Sequence, residues 1–325
     1  MLHRFLSTAL TLLISSAALA QTYPSRPVRI IAPFPPGNAA DVAARAMTDR
    51  LGQRLGQPIV VENRSGGAGI IGTEAAAKAP ADGYTLLLSS ISPVALLPAV
   101  YKKLPYDPKK DLVPISQIGI VAMLLVASPS LAANSVGELV QHVKANPGKL
   151  NYAHLGPGTI SHLAMETMRA SAGLAIVGIP YKGSGTALAE MMSGEVALMV
   201  DGITSANAQV RAGKVKALAV LTTRRSPFAP AVPTIGEAGL QQMHELDITS
   251  WVGLFAPAGT PRPIIERWHK EIVEVTQAAD VRERLGNVNV EALASESPEK
   301  FAEYHTRELA KWERVAKGAG VFQSQ

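Results

Sequence analysis

The chain has 325 residues, no cysteine, 31 basic against 26 acidic side chains and a formal net charge of +5. The lack of cysteine excludes disulfide staples, thiolate metal sites and a cysteine nucleophile, and a chain of roughly 300 residues buries enough surface to do without staples. The basic residues never cluster beyond pairs such as Lys102-Lys103 or Arg224-Arg225, and the aromatic residues, 5% of the chain, do not accompany them; this is not the pattern of a nucleic-acid surface.

The first 20 residues read as an export signal. Arg4 supplies the positive charge, residues 5–20 are apolar or small, and Ala18-Leu19-Ala20 fits a small-x-small cleavage site. The run is shorter than the ~20 residues that span a bilayer and is followed at once by Gln21-Thr22-Tyr23-Pro24. The expected product is a periplasmic protein cut after Ala20. The length that remains fits two domains better than one.

Residues 28–32 form an apolar run that predicts a buried strand. Pro33-Phe34-Pro35-Pro36-Gly37-Asn38-Ala39-Ala40-Asp41 follows and leads into a helix predicted over 39–55. A strand, a tight Pro/Gly loop and a helix start point unpartnered N–H groups into a cleft, where the helix dipole favours an anion. After a strand at 58–61 comes Gly67-Ala68-Gly69-Ile70-Ile71-Gly72, which spells G-x-G-x-x-G ahead of a helix at 72–79. A dinucleotide site needs an acid at the end of the next strand. That strand, 85–88, ends in Ser89-Ser90, so these glycines read as a turn into a closely packed helix.

Further on, strands are predicted at 117–127, 149–153, 177–180, 196–200, 216–221 and 251–256, with helices at 135–145, 161–172, 186–193 and 205–212. Ser135 to Glu138 is a capping box, and Asn146-Pro147-Gly148 ends its helix. Thr260-Pro261 and Ser297-Pro298 each place a cap residue before a proline at the first helical position. Gly156-Pro157-Gly158-Thr159-Ile160-Ser161 is a second strand-to-helix loop of the anion-accepting kind. Continuous apolar strands alternating with helices indicate an α/β protein with mostly parallel sheets. Two long apolar runs, 111–127 and 249–256, each precede a change of character. They are expected to be two strands crossing between lobes, giving lobe one as 22–124 with 251–325 and lobe two as 125–250.

No G-x-S-x-G elbow and no H-E-x-x-H motif is present. His162 and Glu166 lie four apart on a helix, but no third metal ligand accompanies them. Small or polar residues follow the strands instead: Asn38, Ser89, Ser90, Thr159, Ser161, Tyr181 and Asp201. Ligands of open α/β sheets bind outside the carboxyl ends of strands, so these residues are candidates for one shared cleft.

At this point the chain resembles the extracytoplasmic solute receptors of the tripartite tricarboxylate transporter type, the Bug-type periplasmic binding proteins. The resemblance rests on Tyr23-Pro24-Ser25-Arg26-Pro27-Val28-Arg29, the Pro33 to Gly37 loop with Asp41, and Val61-Glu62-Asn63-Arg64 with Gly66-Gly67-Ala68-Gly69. It continues through Pro80-Ala81-Asp82-Gly83-Tyr84, Gly158-Thr159 with His162-Leu163, Pro180-Tyr181-Lys182-Gly183 and Ala256-Pro257-Ala258-Gly259-Thr260-Pro261. It implies a two-lobed Venus flytrap, without catalysis, cofactor or metal, that hands a small carboxylated solute to a membrane permease; a monomer is expected. By position it assigns the ligand to Phe34, Gly37, Asn38, Ala39 and Asp41 on one side and Gly158, Thr159 and Ser161 on the other, with backbone amides and hydroxyls in place of an arginine. Asn38 stands where the family usually has glycine. The apolar segment Ile91-Ser92-Pro93-Val94-Ala95-Leu96 predicts a less polar pocket wall, and hence aromatic or alkyl monocarboxylates over citrate. Two other readings remain: a periplasmic sensor of the same fold, and an exported enzyme using His154 or His162 as a base.

Overall fold

The computed structural model describes residues 23–244 and 246–325; the signal segment expected at 1–20 lies outside the described residues. Chain order is β1 (Val28–Ala32), α1 (Ala39–Leu55), β2 (Ile59–Asn63), α2 (Ile70–Ala77), β3 (Thr85–Ser90), a π-helical turn (Ser92–Leu96) and α3 (Leu97–Val100). Next come β4 (Leu112–Ala127), α4 (Val136–Ala145), β5 (Leu150–His154), α5 (Ile160–Ala172), β6 (Ile176–Pro180), α6 (Ser184–Ser193), β7 (Leu198–Gly202), α7 (Ile203–Arg211) and β8 (Lys216–Val220). The chain closes with α8 (Gln241–His244), β9 (Thr249–Pro257), α9 (Arg262–Gln277), α10 (Ala279–Asn287), β10 (Glu291–Ala292) and α11 (Pro298–Gly318).

One strand organises both lobes. The first part of β4 pairs with β9 from Leu112 opposite Pro257 to Ala122 opposite Thr249. Its last part, Met123 to Ala127, pairs instead with β7 on one side and β8 on the other. The first sheet is therefore β2-β1-β3-β9-β4-β10, and the second is β8-β4-β7-β5-β6. The parallel pairs, β1 with β2 and β3 and β5 with β6 and β7, form the outer arms. Every antiparallel pair involves β4 or β9.

The expected second crossing strand takes a different form. All pairs of β9 lie in the first sheet. The return crossing is made just before it, where Leu221 N donates to Met123 O and Ile248 N to Leu221 O, each at 2.9 Å. We propose the lobe boundary at this junction, between residues 122 and 123 and between 248 and 249.

Of the residues expected to cap ahead of a helix, Ser135 and Ser297 do so, at α4 and α11, whereas Ser161 lies inside α5 and Asp201 caps no helix. Asn38 and Thr159 cap α1 and α5. Thr260, expected as a cap, instead turns its hydroxyl back to Pro257 O at 2.7 Å, and α9 starts one residue later than expected, at Arg262 after Pro261. Wholly buried Trp251, Trp268 and Trp312 anchor the core on the two faces of the sheets. α11 docks through Phe301, Leu309, Trp312 and Val315. Among the described residues no helix is long and apolar enough to cross a membrane.

Candidate ligand-binding site

The first wall begins where β1 ends. Gly37 takes φ +87° to close the loop onto α1, and Asn38 Oδ1 accepts the N–H of Ala40 at 3.1 Å. Asp41, in the first turn, is 3% exposed. Its Oδ2 accepts Gly37 N at 2.9 Å, and its Oδ1 accepts Arg45 Nε at 2.9 Å and Asn63 Nδ2 at 3.0 Å. The same Asn63 amide donates to Phe34 O at 3.0 Å, so β2 braces the loop through Asp41. From below, α2 packs so closely that a Cβ on Gly72 would lie 2.5 Å from Arg64 O and 2.7 Å from Pro33 Cα. The G-x-G-x-x-G run is thus a packing device under the loop.

The second wall is the loop from β5 to α5. Thr159 Oγ1 donates to Gly156 O at 2.7 Å and lies 3.0 Å from Ser161 Oγ, which in turn accepts Leu155 N at 3.0 Å. Two histidines stand behind it, their ring centroids 4.7 Å apart. His154 Nδ1 accepts Gly156 N at 3.2 Å, and His162 Nδ1 accepts Gly158 N at 3.3 Å. Acceptance at Nδ1 requires neutral rings. Burial favours that form, pulling His162 down to about 4 and His154 also below its ordinary value.

The two walls meet. Ile160 N, the first N–H of α5, donates across the cleft to Ser92 Oγ at 3.1 Å. The cavity left between them is about 40 Å³, room for on the order of three waters at ~10–15 Å³ each; anything larger requires the lobes to part. Of the residues expected at the site, Phe34, Asn38, Ala39, Ser90, Thr159, Ser161 and Asp201 line this cavity together. Among the described residues, no acceptor meets the N–H of Ala39 or of Ser161. One starts α1 and the other lies in the first turn of α5. Among the described residues no lysine or arginine is part of the lining.

The remaining expected residues fall outside the lining, each for a visible reason. Gly37 and Asp41 shape the loop from behind. Gly158 packs into the other lobe, where a Cβ would come 2.7 Å from Leu97 Cδ2. Ser89 is wholly buried with its hydroxyl turned to Ser90 O, and the Tyr181 hydroxyl donates outward to Glu190. Sequence reasoning missed Ser92, Thr204, Ser205 and Ser250. The apolar wall expected from residues 91–96 is overturned. Ile91, Val94, Ala95 and Leu96 are wholly buried in the core, and this stretch shows the cavity Ser92, next to Ser90 at the end of β3.

Asp201 closes the floor at the end of β7, 3% exposed. Its Oδ1 accepts Ser184 Oγ and Gly202 N, both at 2.9 Å. Burial pushes its carboxyl up to about 7. The His162/Glu166 pair is no ligand set, since Glu166 accepts the Tyr152 hydroxyl and the Arg169 guanidinium. Neither His154 nor His162 lines the cavity, and each Nδ1 is already engaged, which leaves the general-base reading without support.

Two sheets joined by one shared strand, with a polar cavity closed between them, define a two-lobed solute receptor. Residues 43–321 match the family model described as "Tripartite tricarboxylate transporter family receptor". The protein BugT of Bordetella pertussis is 38% identical over 309 residues, 95% of this chain and 94% of that one. Among solved structures, the R. palustris protein Rpa4515 with adipate superposes with a TM-score of 0.87 at 33% identity, covering 92% of this chain and 98% of its own. MatC from Rhodopseudomonas palustris with bound malate gives 0.83 at 33% identity, covering 90% and 99%. The chain belongs to the tripartite tricarboxylate transporter receptor family of periplasmic solute-binding proteins, which are receptors and not enzymes.

Proposed function

We propose that this receptor, exported by its N-terminal signal, captures one small aliphatic carboxylate between its lobes and passes it to a membrane permease of a tripartite transporter. The observation that carries the reading is the set of unpartnered N–H groups that helix starts bring to one cavity, Ala39 and Ser161 from its two walls with Thr204 and Ser205 of α7 beside them. Helix starts hold anions by their free N–H groups and the macrodipole, without a cation. The serine and threonine hydroxyls around them suit the oxygens of a short acid. The adipate and malate in the titles of two relatives support a dicarboxylate over the aromatic and alkyl monocarboxylates that the sequence suggested.

Thermal unfolding of the protein, denatured and refolded to strip carried-over solute, tests this against succinate, malate, adipate, benzoate and citrate, each paired with its amide. Ligand at a hundredfold over Kd stabilises by ~2.7 kcal/mol. A shift with a short diacid and none with its amide is expected. A shift with the amides, or with benzoate alone, would overturn the reading.

A further inference from the structure

Asp201 is an unusual choice for the floor of an anion site. Among the described residues it is the only titratable side chain lining the cavity, and its Oδ2 is buried with no hydrogen-bond partner. Among the described residues no charge offsets it. Its register neighbour on β4 is Leu124, and β4 carries no titratable residue. From the other elements around it, His154 of β5 turns to His162, Glu190 of α6 takes the Tyr181 hydroxyl, and Arg211 of α7 is exposed. Ser184 Oγ and Gly202 N hold Oδ1 and orient the group.

An ionised Asp201 would place two anions in one small cavity once a carboxylate arrived, and like charges at one site drive one of them to take a proton. It would also leave a buried charged oxygen without a donor, which is costly. A neutral acid removes both difficulties, because Oδ2 becomes a donor and the incoming carboxylate is the acceptor it lacks.

We infer that Asp201 enters the complex as a neutral acid, donating from Oδ2 to a ligand carboxylate oxygen, so that capture of one ligand takes up one proton from solvent. This rests on the carboxylate reading above. The burial that pushes the free carboxyl up to about 7 places the transition where the periplasm can sample it.

Titration calorimetry with malate and adipate, from about pH 6 to about pH 9, tests it, since both ligands' carboxyls (~4) are ionised throughout. Wild-type Kd should rise about tenfold per pH unit above pH ~7, with close to one proton taken up per ligand by comparison of buffers. Asp201→Asn offers an amide donor in place of the acid O–H; its profile should be flat and its affinity at high pH above wild type. Asp201→Ala should bind weakly at every pH. A flat wild-type profile, or loss of binding by Asp201→Asn at every pH, would overturn the inference; the latter would mean that an ionised Asp201 accepts from the ligand. Urea unfolding without ligand separates the two claims. Wild type should lose stability relative to Asp201→Asn as pH rises from about 4 to about 7. Parallel curves would overturn the inference itself. If that difference is present but neither diacid binds, it is the carboxylate reading that fails, and the ligand half of the inference with it.

Discussion

Replacing Asp41 by alanine should damage the site from outside it. Asp41 touches no part of the cavity, yet it accepts from Gly37 N, Asn63 Nδ2 and Arg45 Nε. A hydrogen bond to a buried charged group contributes ~1.5–3 kcal/mol. The Gly37 bond has no substitute acceptor, whereas Asn63 keeps Phe34 O and so loses less. The ion pair with Arg45, whose side chain is 53% exposed, adds under ~1 kcal/mol, and the favourable placement in the first turn of α1 adds ~0.3–1 kcal/mol. Together the substitution should cost about 3–4 kcal/mol. Urea unfolding at constant m-value measures it. Because the same bonds set the path of the loop that presents Ala39 N, affinity for the cognate acid should fall at least about tenfold, or ~1.4 kcal/mol. Asn63→Ala should do part of the same damage, and the double variant should fall short of the sum by about 1 kcal/mol. A cost below about 1 kcal/mol, or a full cost with unchanged affinity, would refute the bracing argument.

Gly72→Ala, at a position with no positive φ, should destabilise by ~1–3 kcal/mol because its Cβ would meet backbone of Arg64 and Pro33 rather than a movable side chain; an unchanged Tm would show that α2 can shift. The folded state holds His162 down at about 4 from an ordinary 6.5, so its contribution is fully present above pH 6.5 and is lost as pH falls through about 4; the ceiling is about 3 kcal/mol. His162→Asn can still accept Gly158 N but cannot take a proton, so its acid unfolding profile should be flatter than wild type over that window, and identical profiles would discount the ring. Ser92→Ala removes the acceptor of an interlobe bond; about 1 kcal/mol should move from the closed to the open arrangement, seen as a larger radius of gyration by small-angle scattering without ligand and a roughly fivefold weaker Kd.

The helix-start loops were legible because their chemistry is local. Proline and glycine fix the turn, and Asn38 and Thr159 cap within two or three residues of themselves. Asp41 was misplaced because its partner Asn63 arrives from β2, in register with Ala32, and that proximity is visible only once β1 and β2 pair. Residues 91–96 misled for a related reason. An apolar segment after a strand reads as a loop facing the ligand, but here the π-helical turn carries it into the core. The usable clue was Ser92 itself, since a hydroxyl inside a fully apolar stretch needs a partner. Ser250 gave the same sign beside Trp251, where β9 meets Val121 of β4. The two residues of β10 had no signal, because Glu291 and Ala292 pair with β4 only after α10 has placed them.

The selectivity of a site without a cation depends on how many of its donors are already spent. A helix start offers several free N–H groups, and if all faced the cleft they would attract any anion, water included. Here most are consumed from within. Asn38 takes Ala40 N, Asp41 takes Gly37 N, the two histidines take Gly156 N and Gly158 N, Thr159 takes His162 N, and Ser92 takes Ile160 N from across the cleft. Beside Thr204 N and Ser205 N at the start of α7, what remains at these two loops among the described residues includes one cavity-lining donor from each lobe, Ala39 N and Ser161 N. A carboxylate has an oxygen for each, and both can be met only when the lobes, having parted to admit the solute, close around it. The side chains that spend these donors, in the lining and behind it, therefore decide the ligand's class, and closure is part of recognition rather than a consequence of it.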